Sequence, residues 1–165
     1  MLTSLITGLF ALGGVALGVL LEPVKAVAAS RVKRRQDRTE LCSSFIRTAA
    51  AMRSHVFALN VRHRMQEIGG IEVDSSEVRS IEEQYFSHRT ELRQQLLLLQ
   101  LHGPDELAPQ AGIVRNADRA LRDARFALDD DSKFDRHVMP NAVKTAAYAF
   151  EAEIEVFAIL GRKLI

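Results

Sequence analysis

The residues best suited to chemistry are five histidines, and their spacing matches none of the common metal-binding patterns. They are His55, His63, His88, His102 and His137. The sequence contains no His-Glu-x-x-His segment and no Glu-x-x-His pair of the di-iron type. His55 and His63 share a face of one predicted helix, but they lie about 12 Å apart along its axis, too far for one ion. We therefore predict surface or boundary histidines, with no metal site and no cofactor.

An aspartate-rich segment and a single cysteine are the other chemical candidates. Asp129, Asp130, Asp131 and Asp135 loosely resemble a calcium loop, but the loop glycine and the terminal glutamate are absent, so we expect a solvated turn with helix caps. Cys42 has no partner cysteine, and it would act as a nucleophile only if a histidine approached it in the fold. A small, semi-buried residue is the preferred interpretation. The sequence thus predicts no catalytic residue and a non-enzymatic protein; the alternative is an enzyme whose site is assembled from dispersed residues.

The longest uncharged run in the chain is Leu2–Leu21. A bilayer core about 30 Å thick is crossed by roughly 20 apolar residues in a helix, so we predict a transmembrane anchor at residues 1–23. A cleaved secretory signal is the alternative, because Ala26-Val27-Ala28 resembles a cleavage site. The uncharged start and the length of the apolar run favour a retained anchor. A glycine-rich helix buried in a soluble assembly is a third interpretation.

A basic stretch follows this segment, and we predict a basic juxtamembrane helical stalk at residues 24–40. Because basic flanks remain on the cytoplasmic side, the N-terminus is expected outside and the C-terminal domain in the cytoplasm, in a single-pass cell-membrane protein. The residues expected to contact anionic lipid headgroups are Lys25, Arg31, Lys33, Arg34, Arg35 and Arg38. No aromatic residues alternate with these cations, so nucleic acid is not an expected partner.

Small residues form one face of the predicted anchor. At 100° per residue, Thr7, Ala11, Gly14 and Gly18 fall on a single stripe. Small side chains let two helices approach closely in lipid. The stripe therefore predicts self-association or docking to another span, and no small-molecule substrate is indicated.

Helical periodicity covers the rest of the chain. The predicted helices lie at about 24–67, 74–101, 111–128 and 133–160. Gly69 and Gly70 end the first helix, and Asp74 with Glu77 predicts a capping box at the start of the second. Pro140 either kinks the last helix or marks its first turn. The fold class predicted is all-α, with an N-terminal transmembrane helix followed by an antiparallel four-helix bundle-like domain at residues 41–165.

Side-chain patterns on these helices give more specific expectations. The apolar run that ends at Leu101 is expected to be buried on several sides. Ile113 is assigned to a core stripe, and Asp118 to an opposite-charge pair with Arg122. A second group of arginines is expected to pair with acidic residues of other helices. These are Arg47, Arg53, Arg62 and Arg64.

The overall layout is similar to that of small actinobacterial proteins of unknown function. The similarity rests on the Gly- and Leu-rich first segment, the Arg-rich exit Arg31-Val-Lys-Arg-Arg-Gln-Asp-Arg38 and a short Ala-, Arg- and Leu-rich helical domain. It implies a membrane location and transfers no functional residue. The expected function is a non-enzymatic, membrane-anchored protein-interaction or scaffold subunit that associates with itself or a protein partner. The alternative is a secreted helical module released near Ala28.

Overall fold

The structure is a computed structural model. It describes residues 27–128 and 134–164 in full and gives only the helical backbone for residues 2–26. It contains four helices: α1 at Leu2–Glu67, α2 at Ser75–His102, α3 at Leu107–Ala124 and α4 at Asn141–Leu164. The described residues contain no strand, which confirms the all-α prediction. The chain divides into two compact units, Met1–Asp37 and Arg38–Ile165.

The described part of the chain does not test the predicted anchor. No helix among the fully described residues has an apolar stretch long enough to cross a membrane. The predicted span Leu2–Leu21 lies outside those residues. So do the side chains of its small-residue face and of the first predicted headgroup contact, which are Thr7, Ala11, Gly14, Gly18 and Lys25.

The Arg38–Ile165 unit is an antiparallel bundle, as predicted. Residues that come later in α1 contact residues that come earlier in α2. Arg38 contacts His102, and Arg62 contacts Glu77, so the two residue numbers of each contact have nearly the same sum. Contacts between α1 and α4 do the same, and the rings of Phe45 and Phe157 lie 4.6 Å apart between centroids. A nearly constant sum is the signature of antiparallel neighbours, and the short connectors are typical of such bundles.

The core face of α1 has a spacing of alternating three and four residues. Its fully buried members are Phe45, Ala49, Met52 and Val56, separated by four, three and four residues. This spacing places all of them on one side of a 3.6-residue helix. They pack with buried residues of the other three helices in one hydrophobic cluster.

The start of α2 confirms one predicted cap and corrects another. The Asp74 carboxylate accepts a hydrogen bond from the backbone N–H of Ser76 at 2.8 Å, as an N-cap should. Gly70, in the preceding turn, has φ +58°, a conformation that favours glycine. The capping box is wrong, because the Glu77 carboxylate pairs with Arg62 of α1 instead of reaching back.

Helix α3 begins and ends four residues earlier than predicted. Pro109 lies in its first turn, where backbone N–H groups lack helical acceptors anyway, so proline is tolerated. At the other end, the Asn60 amide of α1 donates to the carbonyls of Arg125 and Ala127 at 2.9 and 3.0 Å. The assignment of Ile113 to the core stripe is wrong, since Ile113 is 45% exposed and its neighbour Val114 is fully buried.

Helix α4 begins only after Pro140, so the prediction of a helix from residue 133 is wrong. The first-turn alternative for Pro140 agrees with the structure, since its carbonyl accepts from the N–H of Lys144 at 2.9 Å. The ring of a proline disfavours the helical conformation at the residue before it, which explains why Met139 is not helical. Residues 129–131 of the predicted aspartate-rich turn with helix caps lie outside the described residues.

Gly112, inside α3, offers a test of this packing. A Cβ added there meets no atom within 4 Å, and glycine in a helix interior costs about 0.8–1.0 kcal/mol relative to alanine. We expect Gly112→Ala to raise the free energy of unfolding by up to about 1 kcal/mol, measured by urea denaturation. Gly103→Ala is the control: its Cβ would lie 2.5 Å from the Leu99 carbonyl oxygen, so it should destabilise. A loss of stability in Gly112→Ala would contradict the packing described for α3.

Candidate functional site

A buried polar cluster joins α2 to α3. Asp118 is 1% exposed, and its Oδ1 accepts a hydrogen bond from the Tyr85 hydroxyl at 2.9 Å. The Nε of Arg89 lies 3.5 Å from Oδ2. The predicted pair with Arg122 is wrong, because Arg122 binds Asp123 at 3.0 Å while Asp118 faces α2. Helix periodicity alone did not separate these two faces of α3.

Burial dominates the electrostatics of this cluster. Desolvation raises the pKa of the Asp118 carboxyl, against the opposing effects of the Tyr85 hydrogen bond and the Arg89 charge. Burial, followed by the Asp118 charge, also raises the pKa of Tyr85. Because Tyr85 and Asp118 are buried and Arg89 reaches them from a partly exposed position, the arrangement stabilises the α2–α3 contact.

A second polar set links α1 to α2. The Gln95 amide nitrogen lies within hydrogen-bond distance of Ser44, Thr48 and Glu91, at 2.8, 3.1 and 2.9 Å. The amide oxygen of Gln95 has no partner among the described residues. The contacts with Ser44 and Thr48 cross to α1 and fix the register between the two helices, whereas the contact with Glu91 lies within α2.

Arg64 organises the segment before α4. Its guanidinium is 2% exposed, donates to the carbonyls of Asp135 and Val138, and lies 5.5 Å from the Phe134 ring centroid. The expected pairing with an acidic residue is therefore wrong for Arg64. It is confirmed for Arg53, which contacts Glu151 of α4 at 2.5 Å, and for Arg62, which pairs with Glu77.

The single cysteine lies in the core. Cys42 is buried, and the position of a Cβ on Gly161 of α4 would be 3.9 Å from its sulfur. Burial raises the pKa of the thiol. A protonated thiol is a poor nucleophile, so the structure agrees with the interpretation of Cys42 as a small packing residue.

Two histidines meet across α1 and α2. The ring centroids of His55 and His88 are 5.1 Å apart, whereas His63 packs edge-on against Phe126 at 5.2 Å. Sequence reasoning compared histidines along one helix and missed this pair. The signal that identifies it is the antiparallel register, which places residue 55 opposite residue 88. Within the fully described ranges, no three His, Cys, Asp or Glu residues are grouped closely enough to hold a metal.

A cavity of about 350 Å³ lies beside the connector between α1 and α2. Its lining includes the apolar side chains of Val61, Met65 and Phe134. The Arg62–Glu77 ion pair is also part of the lining. Glu72, Asp74 and Arg136 complete the charged part of the lining, so the cavity offers both apolar and charged contacts.

Four large apolar side chains of α2 are exposed to solvent. Phe86, Leu97, Leu98 and Leu101 are 49%, 52%, 44% and 73% exposed, and we call them the α2 apolar face. The prediction that this end of α2 is buried on several sides is wrong. Leu96 and Leu99 face the core, and the bundle covers only that side of the helix.

The predicted headgroup residues that can be located are all on the surface. Arg31, Lys33, Arg34 and Arg35 are exposed. Arg38 is exposed as well, but its Nε donates to the His102 carbonyl at the end of α2, at 3.2 Å. Its guanidinium therefore stabilises a helix C-terminus in addition to any lipid contact.

Removing the Tyr85 hydroxyl tests the buried cluster. Tyr85→Phe leaves the buried Asp118 carboxylate with one hydrogen-bond partner fewer, so we expect the free energy of unfolding to fall by about 1–3 kcal/mol. Tyr148→Phe is the matched control, because Tyr148 is 70% exposed. Urea denaturation of both variants gives the comparison. Equal effects at the two positions would contradict the role assigned to the cluster.

His55 gives the bundle a pH dependence near neutrality. Burial and the neighbouring His88 lower the pKa of His55 below its usual 6.5. The folded state thus binds fewer protons than the unfolded state in this range, and stability should fall as the pH drops below about 6.5. We expect the slope of unfolding midpoint against pH, measured between about pH 5 and 8, to be smaller in His55→Asn. An unchanged slope in that variant would contradict this assignment.

No protein-family model, curated protein or solved structure matches the chain. The resemblance to small actinobacterial proteins therefore stays a prediction. The residues and contacts of the chain itself are the basis for inferring its function.

Proposed function

We propose that this chain is a non-enzymatic helical module, tethered to a membrane by its N-terminal segment, that associates with a second copy through the α2 apolar face. The exposure of that face is the observation that carries the proposal. Three leucines within five positions are 44–73% exposed. Clustered apolar surface of this kind is typical of protein-interaction sites.

Charge favours a second copy as the occupant. The segment Gln94–Leu101 carries no charged residue. When two identical surfaces meet about a twofold axis, every charge faces an equivalent surface and like charges can repel. The part of the α2 apolar face formed by Leu97, Leu98 and Leu101 avoids that cost, whereas Arg89, Glu91 and Arg93 lie between it and Phe86.

The buried titratable groups support a non-enzymatic role. Asp118 is enclosed with Tyr85 and Arg89, and Cys42 is buried with a raised thiol pKa. Catalytic groups need access to a substrate. The groups with perturbed pKa values in the core are instead used for packing between helices.

The membrane tether is supported by the sequence. Leu2–Leu21 has the length and lack of charge of a membrane-spanning helix. Arg31, Lys33 and Arg34 are exposed, which suits contact with anionic headgroups. The domain following these cations would then lie on the cytoplasmic side.

Substitution of two leucines tests self-association. Leu97→Gln with Leu101→Gln removes apolar area that a dimer would bury, worth about 1 kcal/mol or more per side chain. We expect the dimer dissociation constant of the full chain in detergent, measured by sedimentation equilibrium, to rise at least about tenfold. A monomeric parent protein, or equal affinities for parent and variant, would contradict the proposal.

Two further variants separate the surfaces. Val156→Gln with Ile159→Gln changes exposed apolar residues of α4 and should leave association unchanged. Gly14→Ile with Gly18→Ile alters the small-residue face predicted in the anchor. If only this last variant weakens association, the contact lies in the membrane segment and not on α2.

Membrane extraction tests the tether. We expect the full chain to stay in the membrane pellet at about pH 11, because alkaline washing releases proteins held by charge but not those held by a spanning helix. Protease added to sealed, right-side-out vesicles should leave the C-terminal domain intact. Release at high pH, or a mature N-terminus at Ala29, would contradict a retained anchor and favour a secreted module.

A further inference from the structure

His55 of α1 lies next to His88 of α2. Among the ring contacts of the described residues, this is the one that joins two histidines from different helices. Their ring centroids are 5.1 Å apart. Both residues are partly exposed, so solvent and ions can reach them. Their backbones are held in place by the antiparallel α1–α2 contact, which the Gln95 and Arg62–Glu77 interactions fix on either side.

The hydrogen bond of His88 determines which of its nitrogens can bind a metal. Its Nδ1 lies 2.8 Å from the carbonyl oxygen of Gln84. A carbonyl oxygen can only accept, so Nδ1 carries the proton and donates it. In the neutral ring, Nε2 is then left with a free lone pair. A histidine that binds a metal through one nitrogen commonly donates the other N–H to a carbonyl in this way.

The spacing of the two rings fits a shared ion. Imidazole nitrogen binds Zn²⁺ at about 2.0–2.1 Å, so two imidazoles on a tetrahedral ion have ring centroids about 5.2 Å apart. The observed separation is 5.1 Å.

We propose that His55 and His88 form a two-histidine site for a borderline divalent transition-metal ion such as Zn²⁺, Ni²⁺ or Cu²⁺. The ion would link α1 to α2, with water or a ligand from outside the chain at its remaining positions. Imidazole suits these ions and not Mg²⁺ or Ca²⁺, which prefer oxygen ligands. The prediction of no histidine metal site considered the spacing of histidines along one helix. The site proposed here depends instead on the register between two helices.

Metal-dependent thermal unfolding tests the proposal. The full chain, free of any histidine tag and chelator, is heated with increasing Cu²⁺, Ni²⁺, Zn²⁺ or Mg²⁺. A saturable rise in Tm is expected with the first three ions and none with Mg²⁺, because an ion that binds only the folded state stabilises it. His55→Asn and His88→Asn should each weaken binding at least about tenfold. His63→Asn is the matched control and should bind as the parent does, since His63 packs against Phe126.

Spectroscopy of the unaltered protein gives a readout that does not depend on how the variants fold. With one equivalent of Cu²⁺, electron paramagnetic resonance should show hyperfine coupling to two imidazole nitrogens. Binding should weaken at acidic pH, because protons compete with the metal for imidazole lone pairs. The proposal is overturned if the parent protein shows no Tm shift, if the His55→Asn/His88→Asn double variant keeps the shift, or if the copper spectrum shows no imidazole nitrogen.

Discussion

The bundle depends on one face of α1, because that helix contributes to contacts with all three others. Phe45 stacks on Phe157 of α4, Thr48 contacts Gln95 of α2, and Asn60 binds the carbonyls that follow α3. The other helices are short by comparison and gain most of their stability by burying apolar area against their neighbours. A change on this face of α1 therefore affects several interfaces at once, whereas a change on the outer face of α4 affects none.

Polar side chains in the core determine how the helices are aligned. An apolar face alone tolerates a shift by one turn, since leucine and phenylalanine pack against many partners. The Tyr85–Asp118 hydrogen bond and the contacts of Gln95 do not tolerate such a shift, because it would leave a buried donor or acceptor without a partner. The same alignment brings His55 to His88, so the proposed metal site depends on the fidelity of this register.

Much of the fold was predictable from local sequence. Periodicity identified the helical segments, and Asp74 correctly marked the start of α2. The errors lie where tertiary contacts override local signals. Glu77 has a cation from α1 nearby and so does not form the capping box, and α3 ends early because Asn60 takes the carbonyls beyond it. The exposure of Leu97, Leu98 and Leu101 was not predictable, since composition cannot show which sides of a leucine-rich helix the rest of the chain covers. The histidine pair was missed because it requires the register of two helices.

Arg64 has a consequence for how the chain opens. A guanidinium cannot escape burial by losing its proton, and this one is held by the carbonyls of Asp135 and Val138, not by a carboxylate. If residues 134–138 moved away while α1 stayed folded, the guanidinium would lose both of these carbonyl acceptors at once. The segment before α4 is therefore part of the same cooperative unit as the core of α1, although it has no helical structure of its own. Amide exchange in that segment would follow global unfolding and not the rapid local opening usual for a surface connector.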